Sequence, residues 1–214
     1  ALLEAMIEER PERFDAAQLL GNIYRGRERF SDAAPIYDIA VERLGTPVQA
    51  DWPLFYFRAI ALERTQQWDR AEADFLKALE LEPEQPFVMN YLAYSWIEQG
   101  EHYDEALDML IRAVELRPDD GFVIDSLGWI YYRLGDYQNA VEQLERAVEL
   151  TPTDPTINDH LGDAYWQVGR KAEARFQWRR ALSFEPTPEL VATIEGKLKR
   201  GLVTDSSADG SSGG

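Results

Sequence analysis

Two histidines are the only side chains whose ordinary titration falls near neutral pH, and the chain has no cysteine. Thiolate nucleophiles, thiolate metal sites and disulfides are therefore excluded. A catalytic or metal-binding histidine needs partners in a recognisable spacing. His102, in a Gly-Glu-His turn, and His160, within a helical pattern, have neither a second His nor an HExxH context. Both read as ordinary polar side chains. Asp159 and Asp163 stand four apart, so on a helix they share a face and form the one candidate pair for a cation. A calcium loop draws on roughly six to eight oxygens from a DxDxDG-type run, which is absent. No phosphate-binding glycine loop and no nucleophile elbow occurs either. Carboxylates are abundant because the chain is acidic, so acidic pairs alone do not indicate a glycosidase. The expectation is a protein that is not an enzyme, with no metal and no cofactor.

The elements that position these residues are helices. In residues 121–154, Ile124, Leu127, Gly128 and Tyr131 recur at three- to four-residue spacing, as do Ala140, Leu144 and Ala147. The reading is two amphipathic helices. Gly135 and Asp136 supply the turn and the cap between them, and Pro152 closes the second. Gly128 and Ala140 are small where the two helices cross. One such hairpin cannot bury its own apolar face, so neighbours must stack on it. The sequence provides them. Ala106, Ala140 and Ala174 lie 34 apart, as do Pro118, Pro152 and Pro186.

This unit resembles the tetratricopeptide repeat, on Leu127-Gly128-x-x-Tyr131, Ala140, Leu144, Ala147 and Pro152. The resemblance implies an all-α right-handed superhelix of five repeats, about 14–51, 52–85, 86–120, 121–154 and 155–188. Residues 1–13, which place Leu3, Met6 and Pro11 at late second-helix positions, read as the remnant of a preceding repeat, so the chain reads as a piece of a longer protein. In the first repeat Ser31 is the expected cap, and the 38-residue spacing from Ala33 to Ala71 demands a longer second helix or a looped link. The second repeat is the most degenerate, with Arg58 in place of the usual Leu. Residues 187–200 form a capping helix, with Lys197, Lys199 and Arg200 suited to the dipole at its C-terminal end. The Gly/Ser-rich 201–214 reads as a disordered tail.

In tetratricopeptide proteins the first helices line a concave groove. Carried over by position, the resemblance assigns to it Phe87, Asn90, Tyr94 and Ile97, then Phe122, Asp125, Trp129 and Tyr132, then Thr156, Asp159, Asp163 and Trp166. The expected partner-binding residues are Asn90, Tyr94, Phe122, Asp125, Trp129, Tyr132, Asp159, Asp163 and Trp166. An aromatic and acidic groove of this kind disfavours the carboxylate clamp of chaperone-binding relatives. It favours a protein or peptide with apolar and basic side chains, so the function implied is a scaffold or adaptor. The competing structural reading has these side chains filling the interior or contacting the 44–51 link. Net charge −17 disfavours nucleic acid, and no apolar run is long enough to insert in a bilayer. Self-association to a homo-oligomer, and a regulatory segment of a larger enzyme whose catalytic domain precedes Ala1, are the alternatives. The LGWIYYRLG and INDHLGDAYWQVGRKAEA stretches also resemble the C-terminal repeats of proteobacterial tetratricopeptide proteins, some of them envelope lipoproteins that act as adaptors for a processing protease. That resemblance leans localisation toward the bacterial envelope.

Overall fold

The computed structural model describes residues 2–10 and 12–202. The expected closing role of Pro11 and the expected disorder of 203–214 lie outside the described residues. Regular structure among the described residues is helical throughout: α1 (Leu2–Glu9), α2 (Asp15–Arg25), α3 (Phe30–Arg43), α4 (Trp52–Arg64), α5 (Trp68–Leu81), α6 (Pro86–Gln99), α7 (Tyr103–Leu116), α8 (Gly121–Arg133), α9 (Tyr137–Leu150), α10 (Pro155–Gln167), α11 (Lys171–Leu182) and α12 (Pro188–Arg200). The chain divides into two compact units, residues 1–92 and 93–214.

In the first unit, α2 pairs with α3 and α4 with α5. The pairing is close because Gly21 faces the Tyr37 ring, where an added Cβ would come within 2.6 Å. Tyr37 is fully buried, its hydroxyl donates to Asn22 Oδ1 at 2.7 Å, and burial pushes its pKa up to about 12. The long spacing after α3 is a looped link, since α3 has the same 14 residues as α5. A single 3-10 turn, Gln49–Asp51, shapes that link. Asp51 Oδ2 accepts from Val48 N–H at 2.8 Å, and Gln49 Nε2 donates to Glu82 at 2.8 Å. Ser31 does not cap α3; Arg29 occupies the cap position without a side-chain bond, and Ser31 lies inside the first turn.

In the second unit, α8 pairs with α9 and α10 with α11, and α9 packs on α10. Asp120, Asp136 and Asp154 cap α8, α9 and α10 by accepting from backbone N–H groups, with Pro155 at the first position of α10. Gly135 and Gly169 take the left-handed turn at φ +81° and +82°. From Ala71 to Ala106 the spacing is 35, one more than the repeat, and the extra turn residue is absorbed at His102, itself left-handed at φ 50°, with its ring 4.7 Å from Trp96.

The 34-residue register explains why α12 closes the unit. Gly128 and Gly162 face the second helix of their own repeats, where a Cβ would meet Leu144 at 2.6 Å and Trp178 Nε1 at 2.5 Å. Gly196 continues this register, and among the described residues no second helix covers it; an added Cβ would meet only the Arg200 side chain, at 3.2 Å. The two apolar positions beside it change accordingly. Leu127 and Leu161 are followed by Glu195, and Tyr131 and Tyr165 by Lys199, both exposed. The other face of α12 stays apolar: Ile194 is fully buried, and Leu190, Leu198 and Leu202 pack on the core.

Candidate functional site

The predicted residues do not all meet. Asn90 belongs to the first unit, half-buried, with a buried Oδ1 that has no hydrogen-bond partner. The other eight lie in the second unit, on α6, α8 and α10. Phe122 is 57% exposed, whereas Tyr94, Trp129, Tyr132 and Trp166 are half-buried and Asp125, Asp159 and Asp163 are buried.

The burial of the aspartates corrects the expectation of a free acidic groove. Asp125 meets His160 Nδ1 at 3.0 and 3.1 Å through its two oxygens. Lys197 Nζ, arriving from α12, donates to Asp159 Oδ2 and Asp163 Oδ2 at 2.7 Å each. The ammonium therefore occupies the place between the two carboxylates where a cation would sit, and among the described residues no group of three His, Cys, Asp or Glu is arranged for a metal. Trp178 Nε1 also donates to Asp163, at 2.9 Å. Three carboxylates facing one imidazole and one ammonium carry more negative charge than they receive. Asp163 responds: burial, opposed by Lys197 and aided by Asp159, raises its pKa to about 6.

His160, which reads from sequence as an ordinary polar side chain, is instead buried in this cluster. Burial opposes its charge, but contact with Asp125 and the nearby Asp159 and Asp163 outweigh it, so its pKa is raised above 6.5. Because the folded state holds the proton more tightly than the unfolded one, His160 contributes stability fully below about pH 6.5, and that contribution is lost as pH rises through the raised value. Urea unfolding at pH 7 and pH 9 is expected to show a loss of stability in the wild type that is smaller in His160→Gln. An equal loss in both proteins would remove His160 as the cause.

The aromatic residues form a closed stack rather than an open platform. Trp129 lies 4.1 Å from His160 at 12° and 4.8 Å from Tyr132 at 5°. Two rings stacked on one face of an indole would touch each other; these two make no ring contact, so they cover opposite faces. The indole Nε1 donates to Glu98 at 2.8 Å. Tyr132 is fixed in turn by Tyr137 at 5.5 Å and by Gln167, which donates to its hydroxyl at 3.3 Å. Burial pushes the Tyr132 pKa up to about 12 and raises that of Tyr94, near Glu98 and Asp125. Trp166 is covered differently. It packs 5.4 Å from Trp178, under Lys171 and Arg175, and Gly201 lies so close that a Cβ there would overlap the ring. What this packing leaves exposed is the ring of Phe122, parts of the half-buried Tyr94, Trp129 and Tyr132, and the half-exposed carboxylate of Glu98.

Lys197 was readable only as a helix-dipole cation from its own helix. The register gives it away, since Trp129, Asp163 and Lys197 are 34 apart and so project from one face of successive first helices.

Paired helices repeating at 34 residues, with small residues where each pair crosses, define an all-α helical-repeat fold. The chain carries tetratricopeptide repeats: family profiles for "TPR repeat" and "Tetratricopeptide repeat" match residues 128–169 and 52–85. Among solved structures, YrrB, described as a TPR protein with an unusual peptide-binding site, aligns at TM-score 0.65 and 20% identity over 92% of this chain and 98% of its own. PilF of Pseudomonas aeruginosa aligns at 0.69 and 19%, over 87% and 90%. TTC0263, a thermophilic TPR protein of Thermus thermophilus, aligns at 0.69 and 20%, over 87% and 99%. These likenesses establish the fold. No curated protein matches the sequence significantly. Proteins of this fold generally serve as interaction scaffolds.

Proposed function

We propose that the chain is a non-catalytic adaptor that holds a segment of a partner protein on the face of α8, with Phe122 as the principal anchor. The observation that carries this reading is Phe122 itself, a large apolar ring 57% exposed beside an otherwise locked aromatic stack. Tyr94 and the rims of Trp129 and Tyr132 complete the surface, and their fixed rings lose little entropy when a partner binds. The partner brings an apolar side chain to Phe122 and basic residues around it. The basic preference rests on the net charge of −17 and on Glu98, because Asp125, Asp159 and Asp163 are engaged internally. The peptide-binding described for YrrB is consistent with this use of the fold.

Selection of displayed peptides on the immobilised protein is expected to enrich sequences with an aromatic or aliphatic anchor flanked by Lys or Arg. Phe122→Ser is expected to weaken the selected peptides at least about tenfold, the scale of a hot-spot anchor, with helicity unchanged. Retained affinity in Phe122→Ser would overturn the assignment. Placement at the bacterial envelope rests on the sequence resemblance alone; recovery of the protein in the cytosolic fraction of its source cells would overturn it.

A further inference from the structure

The repeat supplies its own reference for what the outer face of a second helix should carry. At four exposed or half-exposed register positions, α7 has Asp104, Asp108, Ile111 and Glu115, and α9 has Gln138, Glu142, Glu145 and Glu149. The same positions on α11 are Ala172, Phe176, Arg179 and Ser183. No acid remains. Phe176 is 57% exposed where the two preceding repeats have carboxylates. Arg179 is exposed and has no ion-pair or hydrogen-bond partner among the described residues, in contrast to Arg170, Arg175 and Arg180. The inversion extends beyond the helix, since residues 170–200 carry eight Lys or Arg against four Asp or Glu in a chain of net charge −17.

We infer that the outer face of α11 is a second docking surface, separate from the α8 face, which takes an acidic protein segment with an apolar anchor seated on Phe176 and a carboxylate on Arg179. Charge complementarity identifies the occupant. Aromatic rings, phenylalanine included, and arginine are both enriched at the cores of protein interfaces. The basic balance of residues 170–200, eight Lys or Arg against four Asp or Glu, favours approach of an acidic segment to this end of an otherwise acidic chain. A lipid surface fits less well. Interfacial helices lay down a broad apolar face, whereas Ala174, Trp178 and Ala181 of α11 are buried in the core and Phe176 is its only large apolar side chain left exposed. A second copy of this chain would bring the same net charge of −17 with it.

The test uses a fluorescein-labelled synthetic peptide of Glu and Asp around two leucines, read by anisotropy. The variant Phe176→Glu with Arg179→Glu restores the residue types that α9 carries at Glu142 and Glu145, so the fold already tolerates them at these positions. Wild type is expected to bind the acidic peptide, with affinity falling as salt rises, and the double variant at least about tenfold more weakly. Basic peptides selected on the α8 face should bind both proteins equally, so failure here is distinguishable from failure of that site. Equal affinity of the acidic peptide for the two proteins overturns the inference. So does sedimentation showing self-association by wild type and not by the variant, which would make a second copy the occupant. Co-pelleting of wild type alone with phosphatidylglycerol vesicles would overturn it in favour of a membrane.

Discussion

Lys197→Met is expected to destabilise the second unit by about 3–5 kcal/mol at pH 7, the cost of leaving buried carboxylates without their counter-charge. Methionine keeps the length and apolar stem of lysine and removes the ammonium, so the change isolates charge from packing. The geometry makes the loss large. Lys197 Nζ is 2.7 Å from both Asp159 and Asp163, whose side chains are 7% and 6% exposed, and one oxygen of Asp159 already lacks a partner. The ammonium also joins α12 to α10, so its removal should loosen the closing helix first. Hydrogen exchange over α10 and α12 is expected to accelerate in the variant before any change in the first unit.

The pH dependence separates this account from a packing defect. Asp163 has a folded-state pKa raised to about 6, above its unfolded value of 3.8. Its contribution is therefore full below about pH 3.8 and lost as pH rises through the folded value. Without Lys197, which lowers that pKa, the folded value moves higher and the window widens upward. The deficit of Lys197→Met relative to wild type should thus shrink when unfolding is measured at pH 5 instead of pH 7. Adding Asp159→Asn and Asp163→Asn should recover most of it. A deficit that is the same at both pH values, or that survives the asparagines, would assign the loss to packing.

The fold was legible because its constraint is local and repeated. Ala106, Ala140 and Ala174 are all fully buried at helix crossings, and the aspartate caps before α9 and α10 follow from residues adjacent in sequence. Ser31 misled because a capping residue type is common within a first turn as well as before it. What was legible of the assigned residues was their position on the first helices, and not their charge partners. Asp125, Asp159 and Asp163 project from first helices as their spacing implies, but the groups that neutralise them lie 34 to 38 residues later, beyond any local window. Trp129 was found as an aromatic at a groove position; that both its faces are covered depends on His160, a residue with no motif of its own. The cue present in the sequence was the register, which aligns Trp129, Asp163 and Lys197 and makes direct pairing between successive first helices a structural expectation.

The degenerate second repeat leads to the other large effect, Arg58→Leu. The first helices of the other four repeats have leucine at this position, Leu20, Leu92, Leu127 and Leu161, so leucine suits the backbone. It is nevertheless expected to cost about 3–5 kcal/mol in the first unit. The reason is Asp74, 7% exposed in its side chain, which receives Arg58 Nε at 2.6 Å and the second fork nitrogen at 2.7 Å. Burial already raises the Asp74 pKa against the pull of Arg58, and removing the guanidinium leaves burial and Asp38 opposed only by Arg70. Asp38, at 3.1 Å from Arg58, is less affected because Arg70 holds it at 2.6 Å. The third repeat shows what an apolar version of the pair looks like, since the positions of Arg58 and Asp74 are there filled by Leu92 and Met109. The double variant Arg58→Leu, Asp74→Met is therefore expected to match or exceed wild type by up to about 4 kcal/mol in urea unfolding, while the single variant falls below it. Equal losses in the single and double variants would mean that the guanidinium fork contributes through its own packing against Phe55 and not by balancing Asp74.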